Sequence, residues 1–420
     1  MKAKSDVDVI IIGAGVAGSS AAILLAQAGW SVALIEKRPF PRRKVCGECI
    51  AASNLSLLDA LGIGEPFGLL AGAPLRRVAL FAGDDRFVTA LPRFDDPAHP
   101  WARALGREHL DTLLLQRAGT LGVEIWQPWT VRAITHASEH DGMRHTCRVQ
   151  ALHSCETVQL SAPILIDAHG SWEVDPHHSA KRRVSPRSSD LFAFKGNFAG
   201  AELDADLLPV LAFPGGYGGM VLTGDGILTL ACCIRRDTLH AIRAPGCDAA
   251  TAVQDYLQAS CMGVRHALRN ARKHDAWLGA GPIRPGIRSP APARNVFAIG
   301  NAAGEAHPIL GEGMSMAIQS AFLLCGHLIS QRAALLSGMS QQCTEVGRSY
   351  ALAWRRSFSS RIRVASVVSH LAMKPSVGVF LRPLLHRWPG MLTATARIGG
   401  KARCVVDARV LIAIGGNHGG

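Results

Sequence analysis

The apolar positions of the first forty residues fall into three blocks. Residues 7 to 12 (Val-Asp-Val-Ile-Ile-Ile) form a β-rich run, an Ala- and Leu-rich stretch follows Gly18 and ends near Gly29, and residues 31 to 35 form a second β-rich run. Short continuous apolar runs predict strands buried on both faces. Strand, helix and strand in succession make the β-α-β unit, whose crossover is right-handed. Two later runs have the same texture: Ala162 to Ile166, before Asp167-Ala168-His169-Gly170, and Val296 to Ile299, before Gly300-Asn301. All three end in a turn carrying glycine, at the edge where an open α/β sheet binds its ligands.

Elsewhere the pattern changes. Residues 75 to 95 and 145 to 160 alternate apolar with polar and predict antiparallel strands; residues 190 to 235 are strand-like with Gly-rich corners, among them Pro214-Gly-Gly-Tyr217-Gly-Gly219. From Gly313 onward the period is helical, through Met316, Ile318, Ala321 and Leu324, and Pro375, Pro383 and Pro389 then break the chain into short pieces. Three regions result. A Rossmann-like α/β domain takes residues 1–75, 100–180 and 285–330, an inserted antiparallel β-sheet substrate domain takes 76–99 and 181–284, and a basic helical C-terminal region takes 331–420.

Composition narrows the classes. With 420 residues, 48% of them hydrophobic, the chain can bury a large core, and 43 glycines against 6% aromatics suit α/β architecture. The net charge is +13, and residues 331 to 420 hold thirteen Lys and Arg against only Glu345 and Asp407. That basic region is a solvated surface or a docking face for an acyl carrier protein or an anionic membrane; no nucleic-acid module accompanies it. Eleven irregularly spaced cysteines read as reduced thiols, and Cys46-x-x-Cys49 lacks the second ligand pair that zinc requires, so no metal is expected. The uncharged run from Val9 to Ile35 imitates a membrane span, but its glycines fit strand, helix and strand better, and no leader peptide is recognisable. A cytoplasmic protein, peripheral to the membrane at most, is expected.

The strongest local motif is Gly13-x-Gly15-x-x-Gly18 between strand and helix, with Glu36 closing the second strand. The first glycine makes the turn, the second admits a pyrophosphate, the third packs helix on strand, and the acid receives ribose hydroxyls. This predicts a dinucleotide without saying which. The segment Gly300-Asn301…Pro308…Gly311-x-Gly313 resembles the second flavin fingerprint, G-D-x-x-x-x-x-x-P-x-x-G-x-G, of the para-hydroxybenzoate hydroxylase superfamily. Lys44-Val-Cys46-Gly47-Glu48 and Gly304 are similar to the geranylgeranyl reductase-like branch, and Arg107-Glu-His-Leu-Asp111 resembles its R-x-x-L-D helix start.

The resemblance implies FAD, with NAD(P)H or a separate flavin reductase as electron source. It implies cofactor contacts from Gly13, Gly15, Val16, Ala17, Gly18, Glu36, Lys37, Arg107, Val131, Gly300, Asn301, Gly311, Glu312, Gly313 and Met314. Two positions depart from the pattern: His169 and Asn301 stand where the superfamily carries Asp. His169 is a structural substitute or a proton-handling group.

Five further residues are catalytic candidates. Lys44 sits over the flavin or joins a basic loop near phosphate; Glu48 is a site acid or a core-facing cap; Tyr217 binds substrate or is buried structure; His307 precedes the flavin-facing Pro308. The scaffold implies a monooxygenase, acting through a flavin C4a-hydroperoxide on a small hydrophobic, alkyl-aromatic or carrier-bound substrate of secondary metabolism. An alkene reductase, a halogenase and a non-enzymatic electron-relay or carrier-docking flavoprotein are the alternatives, although the halogenase signature G-W-x-W-x-I-P is only echoed at Gly170 to Pro176.

Overall fold

The computed structural model describes residues 5–139, 142–171, 185–337 and 340–374, together with a few positions between Pro383 and Thr393. The Trp172 to Pro176 echo and the breaks at Pro375 and Pro389 lie outside the described residues.

The first half of the chain supplies four strands of a parallel sheet: β1 (Val9–Ile12), β2 (Val32–Ile35), β3 (Glu124–Trp126) and β4 (Ile164–Asp167). Helix α1 (Val16–Gln27) crosses between β1 and β2, and α2 (Arg107–Thr120) precedes β3. The chain then builds an antiparallel layer from β5 (Leu191–Ala199), β6 (Leu207–Phe213), β7 (Gly216–Leu222) and β8 (Leu228–Arg235). It returns as β9 (Val296–Ala298), and the parallel order is β9-β4-β1-β2-β3. Because β9, β4 and β1 are neighbours, their three glycine turns emerge side by side. Gly13 and Gly170 hold φ of +100° and +90° there, and a Cβ at Gly13 would stand 2.6 Å from the Ala168 carbonyl oxygen.

One face of the parallel sheet is covered by a four-stranded sheet of Ser5–Asp6, Trp129–Glu139, Gly142–Ala151 and Thr157–Ala162. The other face carries α1 and α3 (Gly313–Ser330). Helix α3 is long and apolar enough to cross a membrane, yet two-thirds of it is buried in the core. The run from Val9 to Ile35 is likewise internal, with both strands fully buried. The alternating pattern of residues 75 to 95 becomes Arg77–Ala82 and Asp85–Ala90, antiparallel to each other, and Arg77–Ala82 joins the layer by pairing in parallel with β6.

The described part of the basic region does not stand apart. Helix α4 (Ser340–Ala372) places Cys343, Val346, Tyr350, Trp354, Phe358, Ile362 and Ala365 in the same core as α1 and α3. These apolar positions recur every three or four residues, so one stripe is buried, and of the arginines between them Arg348, Arg355, Arg356 and Arg363 face outward while Arg361 is buried.

Candidate active site

The parallel sheet and the antiparallel layer enclose a cavity of about 280 Å³. Gly15, Val16 and Ala17 at the start of α1, Gly170, Gly300 and Asn301 from the adjacent turns, and Gly313 and Met314 at the start of α3 line one side. Two helix N-termini thus point into one space, each presenting unpaired N–H groups and the positive end of its dipole. Neither helix carries an acid within its first turn. A Cβ at Gly15 would meet only Arg107 Nη2, at 3.9 Å, so the backbone there opens directly on the cavity. These residues fit FAD: the α1 end suits its pyrophosphate and the α3 end a reduced, anionic isoalloxazine.

Glu36 closes β2 as the motif requires. Its carboxylate accepts from the Ala14 N–H at 3.0 Å, the Arg38 N–H at 2.9 Å and Arg42 Nη2 at 3.2 Å. Arg107 reaches the cavity with its guanidinium forked onto Asp111, at 2.7 and 2.8 Å. Burial alone would lower its pKa, but the Asp111 carboxylate outweighs that and keeps it above the ordinary value. The Lys44 ammonium lies 3.6 Å from where a Gly170 Cβ would be. Loss of hydration, then the charges of Arg107 and Arg42, bring its pKa down to about 8. Val131 lies elsewhere, paired with Val149 and packed between the parallel sheet and its covering sheet. Gly13, Gly18, Glu36, Lys37, His307 and Glu312 are also not among the lining residues.

Glu48 joins the layers. It adopts φ +57° and is 1% exposed. Its Oε1 accepts from the Arg107 N–H at 2.9 Å and from the fully buried Lys195 ammonium on β5, and its Oε2 accepts from Thr229 Oγ1 at 2.6 Å. With both oxygens occupied, this carboxylate holds α2 against the antiparallel layer.

The two departures acquire a local logic. Asn301 Nδ2 donates to Ser171 Oγ at 2.7 Å, and Ser171 Oγ donates to Glu305 Oε1 at 2.9 Å. Ser171 spends its only proton on Glu305, so its other partner must be a donor, which an amide is and an ionised Asp is not. His169 is tied back to Asp167: its N–H donates to Oδ1 at 3.2 Å, and its Nδ1 contacts the same oxygen.

The opposite wall is mainly apolar, with Leu208, Val210, Met220, Val221, Ile283 and Ile309. Tyr217, 1% exposed, places a hydroxyl in this wall 3.4 Å from His307 Nδ1. Burial and then the neighbouring Cys233 raise the phenol pKa well above 10. Burial and then His370 push His307 down to about 4. The tyrosine therefore stays protonated and faces a neutral imidazole, immediately before Pro308. Glu305, Ser171 and Lys195 were absent from the sequence candidates. Only Glu305 left a local signal there, as a charge in the apolar run leading to Pro308.

Residues 6–182 match the FAD binding domain family. The chain is 27% identical to a tryptophan 2-halogenase of Chondromyces crocatus over 48% of its own length and 38% of the halogenase. It therefore spans well under half of that relative. It is 25% identical to the menaquinone reductase of Mycolicibacterium smegmatis over 96% of this chain and 93% of that one. Its fold superposes on PqsL of Pseudomonas aeruginosa, "a probable FAD-dependent monooxygenase", with a TM-score of 0.67 at 18% identity, covering 90% of this chain and all of the other.

Proposed function

We propose that this chain, an FAD-dependent oxidoreductase whose residues 6–182 match the FAD binding domain family, is a monooxygenase of the para-hydroxybenzoate hydroxylase superfamily. It transfers one oxygen atom of O₂ to a hydrophobic, electron-rich substrate such as an alkyl-aromatic. The observation that carries this reading is the Tyr217–His307 pair: one neutral hydroxyl donor in a mainly apolar wall, beside Pro308.

In the balanced reaction the substrate, O₂, NAD(P)H and a proton give hydroxylated substrate, NAD(P)⁺ and water. Bound FAD supplies the two-electron chemistry that links NAD(P)H to O₂. The protein's own work is threefold. The α1 end and Arg107 would hold the cofactor's phosphates, while Asn301, through Ser171 and Glu305, fixes the turn that would face it. The wall of Leu208, Val210, Met220 and Ile309 excludes water from the transfer. The Tyr217 hydroxyl gives a proton to the oxygen that leaves as water, and His307 orients that hydroxyl.

Full-length similarity to a menaquinone reductase favours a second reading, in which reducing equivalents pass to an alkene and Tyr217 protonates the adjacent carbon. The halogenase reading has less support, because the G-W-x-W-x-I-P signature is only echoed in the sequence and Lys195 on β5 has its ammonium engaged by Glu48. Turnover of long-chain phenols and of isoprenoid quinones, each with and without O₂, separates these reactions. An oxygenated phenol formed only with O₂ supports the proposal; anaerobic reduction of the isoprenoid alkene, with no oxygenated product under air, overturns it.

A further inference from the structure

We propose that the outward stripe of α4 seats this chain on an anionic lipid surface. The stripe consists of Arg348, Leu352, Arg355, Arg356, Arg363, Val367 and Leu371 on the helix and Lys374 just past its end, all exposed and spaced at helical intervals. Three of them are large apolar side chains left in water, Leu352 at 53%, Val367 at 60% and Leu371 at 46% exposure. Glu345 is the one acid between residues 340 and 374. Among the described residues, Arg348, Arg355, Arg356 and Arg363 have no acidic partner, whereas Arg361, on the buried side, pairs with Glu312. The helix thus sorts its arginines: one is spent inside, and the rest are left with unneutralised charge among aliphatic side chains.

That mixture selects a bilayer. An acidic protein surface answers the arginines but leaves Leu352, Val367 and Leu371 without an apolar counterpart. A headgroup layer answers both, phosphates taking the guanidiniums and the acyl boundary taking the aliphatic side chains. The position of the stripe agrees. Its C-terminal end adjoins the substrate wall: Met373 packs against the cluster containing Tyr217 and Ile283, and its carbonyl accepts from the Gly215 N–H at 3.3 Å. Docking through α4 brings the apolar cavity wall to the lipid boundary, where a hydrophobic substrate is concentrated.

Flotation of the FAD-loaded full chain tests this without turnover, so the outcome is independent of the monooxygenase reading. The vesicles are phosphatidylcholine alone and phosphatidylcholine doped with phosphatidylglycerol. The proposal expects binding to the doped vesicles only, reversed by high salt. It expects a loss of about a hundredfold in the triple variant Arg355→Gln, Arg356→Gln, Arg363→Gln, and a clear loss in Leu352→Gln, Val367→Gln, Leu371→Gln, with FAD content and circular dichroism unchanged in both. No flotation, or equal flotation on neutral vesicles, overturns it. So does binding that survives the apolar substitutions while responding to charge, the behaviour of a face that docks an acidic protein.

Discussion

Arg361 and Glu312, forty-nine residues apart, form a buried ion pair at the start of α3, with Nη1 3.3 Å from Oε2. The same Nη1 donates to Gln319 Oε1 at 3.2 Å, Gln319 Nε2 to Asn54 Oδ1 at 2.9 Å, and Asn54 Nδ2 to Ser315 Oγ at 2.9 Å. The helix end assigned to the flavin is therefore braced from α4. Arg361→Met removes the cation paired with the buried Glu312 carboxylate, and urea unfolding should show a loss of about 3–5 kcal/mol. Adding Glu312→Gln should restore part of that loss; a neutral effect of the single change would remove the brace.

Gly15→Val isolates the cofactor site. Backbone φ at Gly15 is −70° and a Cβ meets only Arg107 Nη2 at 3.9 Å, so the protein alone accommodates the side chain. A pyrophosphate on the α1 N-terminus does not. The variant should fold with wild-type circular dichroism and purify without flavin absorbance. A variant carrying full flavin would move the site.

Lys44 links cofactor binding to pH. Its pKa stands at about 8 in the protein without cofactor, against an ordinary 10.5. An anionic ligand beside it raises that value, so binding takes up a proton above about pH 8. FAD affinity should be highest below pH 8 and fall as pH rises past it, and Lys44→Met should flatten the slope. Calorimetric titration in buffers of different ionisation enthalpy reads the proton directly.

His307 sets an acid limb of stability. Its folded pKa of about 4 lies below the ordinary 6.5, so the unfolded chain binds the proton more tightly. Stability is retained above pH 6.5 and lost progressively as pH falls from 6.5 towards 4, with no further contribution from this group below that. His307→Gln should flatten this part of the pH–stability curve while leaving stability at pH 8 within about 1 kcal/mol of wild type.

The three glycine turns were legible because each follows a short apolar strand and carries its function in adjacent residues. Their convergence was inferred from like endings and is realised by the strand order β9-β4-β1. Long-range polar pairing left no such trace. Lys195 and Glu48 are 147 residues apart, and Ser171 and Glu305 are 134 apart. Nothing in local period says which buried carboxylate meets which donor. Arg361 is intermediate: it falls on the stripe of Tyr350, Trp354 and Phe358 at helical spacing, so the sequence marked it as inward, but the net charge of the tail concealed it among outward arginines. Asn301 read as a departure until Ser171 stood beside it.

In the proposed reaction this cavity delivers oxygen to a hydrophobic substrate with Tyr217 as proton donor. Single turnover of the FAD-reduced protein with ¹⁸O₂ and a long-chain phenol, analysed by mass spectrometry of the product, tests it most directly. One labelled oxygen is expected in the product and the other in water, with a Tyr217→Phe variant slower by about 10²–10⁴-fold and flavin binding intact. An unlabelled product, or labelled product formed equally fast by Tyr217→Phe, would contradict it.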